Sequence, residues 1–137
     1  MNKGPLEDRI AIRELIEEFA AAVMRIDAER WSKTWAIDGA WKLPSLPEDV
    51  VGRDQIKAMF ADKLDYVDHM SMIAFPAELT VEGDRASGKA YCRELIFAND
   101  GGQRVLIGCF HDDYVKQDGQ WLFQRREYEI LGVPHLS

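Results

Sequence analysis

Four long segments in the second half of the chain have the composition of β-strands, and short turn-forming sequences separate them. Gly83-Asp84, the run 99–102 and Asp118-Gly119 contain the Gly, Asp and Asn residues that favour tight hairpin connections. The pattern predicts strands over 73–82, 86–98, 103–116 and 120–133. Because consecutive strands joined by short turns pair in opposite directions, we expect an antiparallel meander.

The first half of the chain has helical periodicity instead. Apolar residues recur at three- and four-residue steps over 5–26, a second short helix fits 28–35, and a third opens near residue 52 and fades by residue 68. Three helices followed by a meander predict an α+β fold, in which the helices cover one face of a long, strongly curved sheet. No internal repeat or linker divides the chain, so residues 1–137 are predicted to form one domain.

A tryptophan-rich block lies between these two halves. Trp31 and Trp35 are four residues apart, and Trp41 follows the turn signal Asp38-Gly39, where a short strand is expected over 40–43. We expect the indoles to pack in the corner where helix gives way to strand. Asp27 precedes the block, and a carboxylate against an apolar wall is paired, neutralised or used chemically. The structural alternative is that Asp27 caps the second helix, a position that favours aspartate.

Composition and charge exclude several classes of protein. A net charge of −7 and a pI near 4.9 argue against a nucleic acid partner, which requires a clustered basic face. No apolar run is long enough to cross a membrane and the N-terminal residues lack a secretory signal, so we expect no membrane partner and a cytoplasmic location. Cys92 and Cys109 match no metal-binding spacing and are predicted to be reduced, buried thiols. No phosphate-binding loop or nucleophile elbow is present, so we expect no cofactor and no metal.

Several short motifs occur together in an order that resembles a known family. They are Asp27 four residues before Trp31, the block Trp-x3-Trp-x2-Asp-Gly-x-Trp, Gly52-Arg53, Gly83-Asp84, Gly108-x-Phe110-x-Asp112-x-Tyr114 and Asp118-Gly119-x-Trp121. With them the chain resembles the SnoaL-like family of the nuclear-transport-factor-2-like superfamily, and its dehydratase and dehydrochlorinase branch. The resemblance implies an α+β cone around an internal pocket, a homodimer or homotrimer, and chemistry on a small molecule without metal or organic cofactor.

The resemblance also implies a polar set within the pocket. In dehydratase-like members, an aspartate at the end of the first helix orients a strand histidine that acts as general base, and an arginine on the last strand often completes the set. These positions fall on Asp27, Met72 and Arg126. Methionine cannot transfer a proton, and His69, three residues earlier, points to the opposite face of an uninterrupted strand. A bulge near residues 74–76 would bring His69 to Asp27; otherwise Asp27 and Arg126 form an ion pair or bind a ligand.

Other polar residues have less clear assignments. Arg93 is expected to share a face with Tyr91, whereas Glu94 is expected to point to the opposite face. The charges of Arg93 and Glu94 are interpreted as partners of residues on adjacent strands. His111 is expected on the face opposite Phe110, and His135 is expected to be exposed. The predicted lining of a mostly apolar substrate pocket is Trp41, Met72, Tyr91 and Phe110.

The leading functional hypothesis is a cofactor-independent lyase or isomerase, dehydratase- or cyclase-like. It would act by proton abstraction on a small, largely apolar cyclic or polyketide-like molecule, with Asp27, His69 and Arg126 as catalytic residues. The alternative is a non-catalytic small-molecule-binding or assembly domain of the same fold, favoured by methionine at position 72. A third hypothesis is an epoxide-opening or cyclising enzyme in which Asp27 and Arg126 act without histidine.

Overall fold

The computed structural model describes residues 1–133 and contains three helices and six strands within them. The helices are α1 (Leu6–Met24), α2 (Ala28–Ser32) and α3 (Arg53–Leu64). The strands are β1 (Trp35–Lys42), β2 (Val50–Val51), β3 (Val67–Glu82), β4 (Arg85–Ala98), β5 (Gln103–Gln117) and β6 (Gln120–Gly132). The expectation that His135 is exposed concerns a residue outside the described range.

All six strands in this range belong to one sheet, in the order β2-β1-β6-β5-β4-β3. Strands β3 to β6 form the predicted antiparallel meander, whereas β1 lies parallel to β6. Helix α1 packs mainly on β3 and also contacts β6. The predicted α+β architecture, with helices against a mostly antiparallel sheet, is confirmed.

Helix α1 is amphipathic, and its apolar side faces the sheet. Glu7 and Asp8 lie in its first turn, where the helix dipole favours anions. The buried residues recur at the helical repeat: Ile12, Leu15, Ile16, Phe19, Ala20, Ala22 and Val23. Within the part of the chain that the structure describes, no helix is long and apolar enough to cross a membrane.

The three indoles pack together in the corner between helix and strand, as predicted. Ring centroids are 5.7 Å apart for Trp31 and Trp35 and 5.3 Å apart for Trp31 and Trp41. Phe60 of α3 stacks on Trp31 at 4.1 Å and so ties the third helix to the same corner. This aromatic cluster joins α1, α2, α3 and the start of the sheet.

The position of the turn in this corner differs from the prediction. The chain turns at residues 33–34, and β1 begins at Trp35, so Asp38-Gly39 lies inside the strand. The pairing of β1 with β6 shifts register between Trp35 and Ala40. A Cβ on Gly39 would lie 3.0 Å from the Ala36 carbonyl oxygen. The Asp-Gly pair therefore permits an irregularity within a strand rather than a reversal.

The sheet has an inner face, against the helices, and an outer face. Alternate residues of β3, β4, β5 and β6 point inward, and on the central strands these include Cys92, Glu94, Phe110 and Asp112. The outer face carries partly exposed apolar side chains, including Ile73, Phe75 and Ile107. The assembly of this chain into a homodimer or homotrimer stays a prediction.

Gly108 of β5 leaves room for a side chain to cross the inner face. A Cβ at this position would lie 2.6 Å from Cε1 of Tyr128, which projects from β6. Because Gly108 has no side chain, the Tyr128 ring lies across β5, and its hydroxyl reaches Glu94 of β4.

We expect Gly108→Ala to lower the free energy of unfolding by about 1–3 kcal/mol, because the new methyl group overlaps the Tyr128 ring. Gly132→Ala is the matched control, since a Cβ there meets nothing within 4 Å among residues 1–133. Its effect should stay within about 0.5 kcal/mol. Urea unfolding of both variants checks this, and equal stabilities would contradict the close contact.

Candidate functional site

A cavity of about 290 Å³ lies between the helices and the inner face of the sheet. Its wall is mostly apolar, and all three helices or their flanking loops contribute. The lining includes Phe19, Val23, Trp31, Trp41, Leu43, Phe60, Met70, Met72, Ile96, Leu106 and Phe110, with the polar residues Ser45, Lys63, Glu94, Arg104 and Tyr128. Such a cavity suits a small molecule of largely apolar character.

Of the predicted lining residues, the structure places Trp41, Met72 and Phe110 in this wall and Tyr91 elsewhere. Tyr91 lies on the outer face, where its ring is 5.9 Å from that of Phe75. Tyr91 pairs with Cys109, while its inward-facing neighbours are Ala90 and Cys92. The assignment of Tyr91 to the cavity is therefore wrong: both faces of β4 carry apolar residues, so periodicity alone did not identify the inner one.

Arg126 is fully buried and forms a bidentate ion pair with Asp112, its neighbour across the β5–β6 ladder. Its Nε and Nη2 atoms donate to the two carboxylate oxygens at 2.7 and 3.0 Å. The Tyr114 hydroxyl donates to the same carboxylate at 2.8 Å. Burial raises the pKa of Asp112, while the guanidinium and the hydroxyl oppose that shift. Two charges removed from water thus satisfy each other.

Aromatic rings surround the guanidinium of Arg126. Its Cζ lies 3.7 Å from the ring centroid of Phe110, 3.9 Å from that of Phe123 and 4.4 Å from that of Phe19. These are cation–π distances. Phe110 lines the cavity, but Arg126 lies behind it and supports the ring from the interior. Within the described residues, its Nη1 has no hydrogen-bond partner.

Asp27 is the N-cap of α2 and lies in an exposed position. Its carboxylate accepts a hydrogen bond from the backbone N–H of Arg30 at 3.0 Å. The Arg30 side chain binds Glu18 of α1 instead, at 2.7 Å. The sequence left two interpretations of Asp27 open, and the capping role is the one present in the structure.

His69 lies on β3 and faces away from the cavity. Its Nδ1 is 2.8 Å from a carboxylate oxygen of Asp68, and its ring stacks on Phe97 at 4.2 Å. The pairing of β3 with β4 is regular from His69 to Ala77, so no bulge separates His69 from Met72. The two residues point to opposite faces, and Met72 is the one in the cavity wall. The structure therefore does not bring His69 and Asp27 together.

Glu94 is the acidic residue in the cavity wall, and the sequence interpretation did not include it in the site. The Tyr128 hydroxyl donates to its carboxylate at 3.2 Å, and the Cys92 thiol donates to the Tyr128 oxygen at 3.7 Å. The exposed cations Lys63 and Arg104 also line the cavity. Strand alternation predicted that Glu94 faces away from Tyr91, but the sequence did not identify the face of Glu94 as the one that lines the cavity.

The burial of these groups shifts their proton affinities. Burial raises the pKa of Glu94 above its ordinary value, while the Tyr128 hydrogen bond and the charges of Arg104 and Lys63 lower it. Burial raises the pKa of the Cys92 thiol to about 11 and also raises the pKa of Tyr128. Burial therefore favours the protonated form of all three groups, and at neutral pH Tyr128 and Cys92 keep their protons.

Two further polar groups in the wall have no partner within residues 1–133. The indole nitrogens of Trp31 and Trp41 are buried and make no hydrogen bond there. Both tryptophans line the cavity. Buried donors are normally satisfied, so these two unpaired N–H groups are exceptions in the interior.

We expect Asp112→Asn to lower the free energy of unfolding by about 3–5 kcal/mol, because it leaves the buried Arg126 charge without a counterion. The double variant Asp112→Asn/Arg126→Met should recover part of that loss. Asp49→Asn is the control, since it breaks the partly exposed Arg125–Asp49 pair and should cost about 0–1 kcal/mol. Urea unfolding measures all three. A loss in Asp112→Asn no larger than in Asp49→Asn would contradict the structural importance of the buried pair.

Solved structures with the same fold cover nearly the whole chain. A candidate aromatic ring hydroxylase from Novosphingobium aromaticivorans has a TM-score of 0.88 at 24% identity, covering 95% of this chain and 93% of that one. A candidate scytalone dehydratase from the same species has a TM-score of 0.83 at 19% identity, covering 96% and 91%. The type 3 hexachlorocyclohexane dehydrochlorinase from Novosphingobium barchaimii has a TM-score of 0.81 at 16% identity, covering 96% and 92%.

At these identities the similarity shows the fold, which also occurs in proteins of the nuclear-transport-factor-2-like superfamily. No curated protein sequence matches the chain. The family model of the SnoaL-like domain matches residues 4–127. This match spans α1 through most of β6, and therefore all elements that form the cavity. The chain belongs to the SnoaL-like domain family.

Proposed function

We propose that this chain is a cofactor-independent lyase or isomerase in which Glu94 removes a proton from a small, largely apolar cyclic or polyketide-like molecule. The observation that carries the proposal is the environment of Glu94, a carboxylate with a raised pKa in the wall of an apolar cavity. A general base works best when its pKa lies nearer the working pH than that of an ordinary carboxylate.

Tyr128 of the cavity wall supports Glu94 in such a reaction. In an elimination, Glu94 takes the C–H proton, the C–H electron pair becomes the new carbon–carbon π bond, and the leaving group departs with its own bonding pair. The proton on Glu94 then passes to water or to the leaving group. The Tyr128 hydroxyl orients the carboxylate at 3.2 Å before the reaction.

The comparisons support elimination chemistry. A dehydratase releases water and a dehydrochlorinase releases hydrogen chloride, so two proteins of similar fold carry the names of eliminations. This chain would perform such a reaction with a different base, because the position expected for histidine is Met72 and His69 points outward. The proposal therefore assigns proton transfer to β4, with Glu94, rather than to β3.

A second candidate function is non-catalytic binding of the same class of molecule. The observation that favours it is Met72, an apolar group in the cavity where related enzymes would hold a histidine. Binding alone requires the apolar wall but no ionised Glu94. The two functions therefore differ in what happens when the Glu94 charge is removed.

We expect Glu94→Gln to lower kcat by about 10²- to 10⁴-fold on a panel of β-hydroxy and β-chloro ring compounds, because the amide cannot accept the proton. Binding of the same compounds, followed by quenching of the tryptophan fluorescence of the chain, should change much less. Glu82→Gln is the matched control, on an exposed residue of β3.

Two more variants separate this proposal from the dyad expected from the sequence. Asp27→Asn and His69→Gln should leave turnover within about twofold of wild type, since neither side chain lines the cavity in the described structure. Loss of turnover in His69→Gln with full activity in Glu94→Gln would overturn the assignment of the base. Ligand binding without turnover by the wild-type chain would favour the binding function.

The pH dependence follows from the direction of the Glu94 shift. Glu94 is a base only when deprotonated, so kcat/KM should rise as the pH increases through the pKa of this residue. Because that pKa is raised, the rise should occur at a higher pH than for an exposed glutamate. Tyr128→Phe removes a hydrogen bond that lowers this pKa, so the rising limb should move to higher pH. Tyr66→Phe, on an exposed tyrosine, should not move it. A pH–rate profile tests both variants, and a shift to lower pH in Tyr128→Phe would contradict the assignment.

A further inference from the structure

Three metal-ligating side chains converge on the outer face of the sheet, on the side opposite the cavity. They are Cys109 and His111 of β5 and Glu129 of β6. Their ligand atoms (the thiol sulfur, an imidazole nitrogen and a carboxylate oxygen) all lie within 4.8 Å of one another. His111 Nε2 and the Glu129 carboxylate are already in contact at 2.8 Å.

Strand geometry explains why these residues meet. Cys109 and His111 are two residues apart on one strand, so both side chains project from the same face. Glu129 lies directly opposite Cys109 in the β5–β6 ladder. The spacing of Cys92 and Cys109 along the chain suggested no metal motif. Cys92 is not part of this cluster, and Glu129 comes from a different strand than Cys109 and His111.

We propose that Cys109, His111 and Glu129 form a binding site for a divalent transition metal ion of the zinc class, with water in the fourth position. A set of one sulfur, one nitrogen and one oxygen is typical of zinc and its neighbours, whereas calcium and magnesium prefer oxygen alone. Tetrahedral zinc places its ligand atoms about 3.3–3.8 Å apart. The three ligand atoms lie within 4.8 Å of one another, and the His111–Glu129 contact of 2.8 Å must lengthen when both residues bind the ion.

The surroundings suit a cation that enters from solvent. The side chains of His111 and Glu129 are 44% and 53% exposed, while Cys109 is buried at the base of the site. Lys89 is the cation directly across the ladder from His111, and Glu78 holds its ammonium group at 3.1 Å. If the Cys109 sulfur binds the ion, it loses only a weak hydrogen bond, 3.7 Å long, to the Phe110 carbonyl oxygen.

Titration of the metal-free full-length chain with Co²⁺, followed by competition with Zn²⁺, tests the site. We expect one equivalent of cobalt per chain and a thiolate-to-cobalt charge-transfer band, which only a sulfur ligand produces. Cys109→Ser should abolish the band and weaken binding at least tenfold. His111→Asn and Glu129→Gln should each weaken binding by a similar factor.

Cys92→Ser is the matched control, because this buried thiol lies on the inner face and should leave the band unchanged. Circular dichroism of each variant shows whether it is folded. An absent band in the wild-type chain, or cobalt binding that is equal in wild type and folded Cys109→Ser, would overturn the proposal. The readout does not involve Glu94 or any substrate, so it is independent of the proposed enzymatic function.

Discussion

The buried ion pair between Arg126 and Asp112 is the interaction around which the interior is built. Both side chains are excluded from water, and such a pair is stable only when its geometry and remaining hydrogen bonds are nearly complete. Tyr114 supplies a further hydrogen bond, and the rings of Phe19, Phe110 and Phe123 cover the guanidinium. The pair thus holds the β5–β6 register and the position of α1 at the same time.

This arrangement separates the buried ion pair from Glu94, the carboxylate that we propose as the general base. Arg126 and Asp112 are shielded by Phe110, whose other side forms part of the cavity wall. Glu94 lies within the wall itself and has one hydrogen bond from Tyr128 in place of a bound counterion. Burial raises the pKa of Glu94 despite the opposing charges of Arg104 and Lys63, and a raised pKa is the property that acid–base chemistry requires of a carboxylate. Gly108 makes this possible, because only a residue without a side chain lets Tyr128 reach across β5.

Local patterns in the sequence predicted the elements well and their junctions less well. Helix α1 and strands β4, β5 and β6 lie within about two residues of their predicted bounds, because their periodicity is long and regular. Strand β3 begins at Val67 rather than 73, and β1 begins at Trp35 rather than after Asp38-Gly39. Both errors occur where polar residues stand in strands, since pairing with a neighbour overrides local preference there.

The candidate site was predicted in part. Strand alternation indicated that Glu94 faces away from Tyr91 and that His69 and Met72 point to opposite faces, and each of these expectations is confirmed. The capping role of Asp27 was one of two interpretations that the sequence allowed. Tyr91 was placed on the wrong side, and Glu94 was treated as a cross-strand partner, because an apolar stripe runs along both faces of β4.

By itself, the sequence determined the order of helices and strands, the α+β class and the alternation of side chains along each strand. These properties depend on residues that are close together in the chain. Only the tertiary structure decided which face of the sheet is covered, that Arg126 binds Asp112, and that Cys109, His111 and Glu129 meet. Those relations join residues 14 to 20 positions apart, and strand register and packing set them rather than any local pattern.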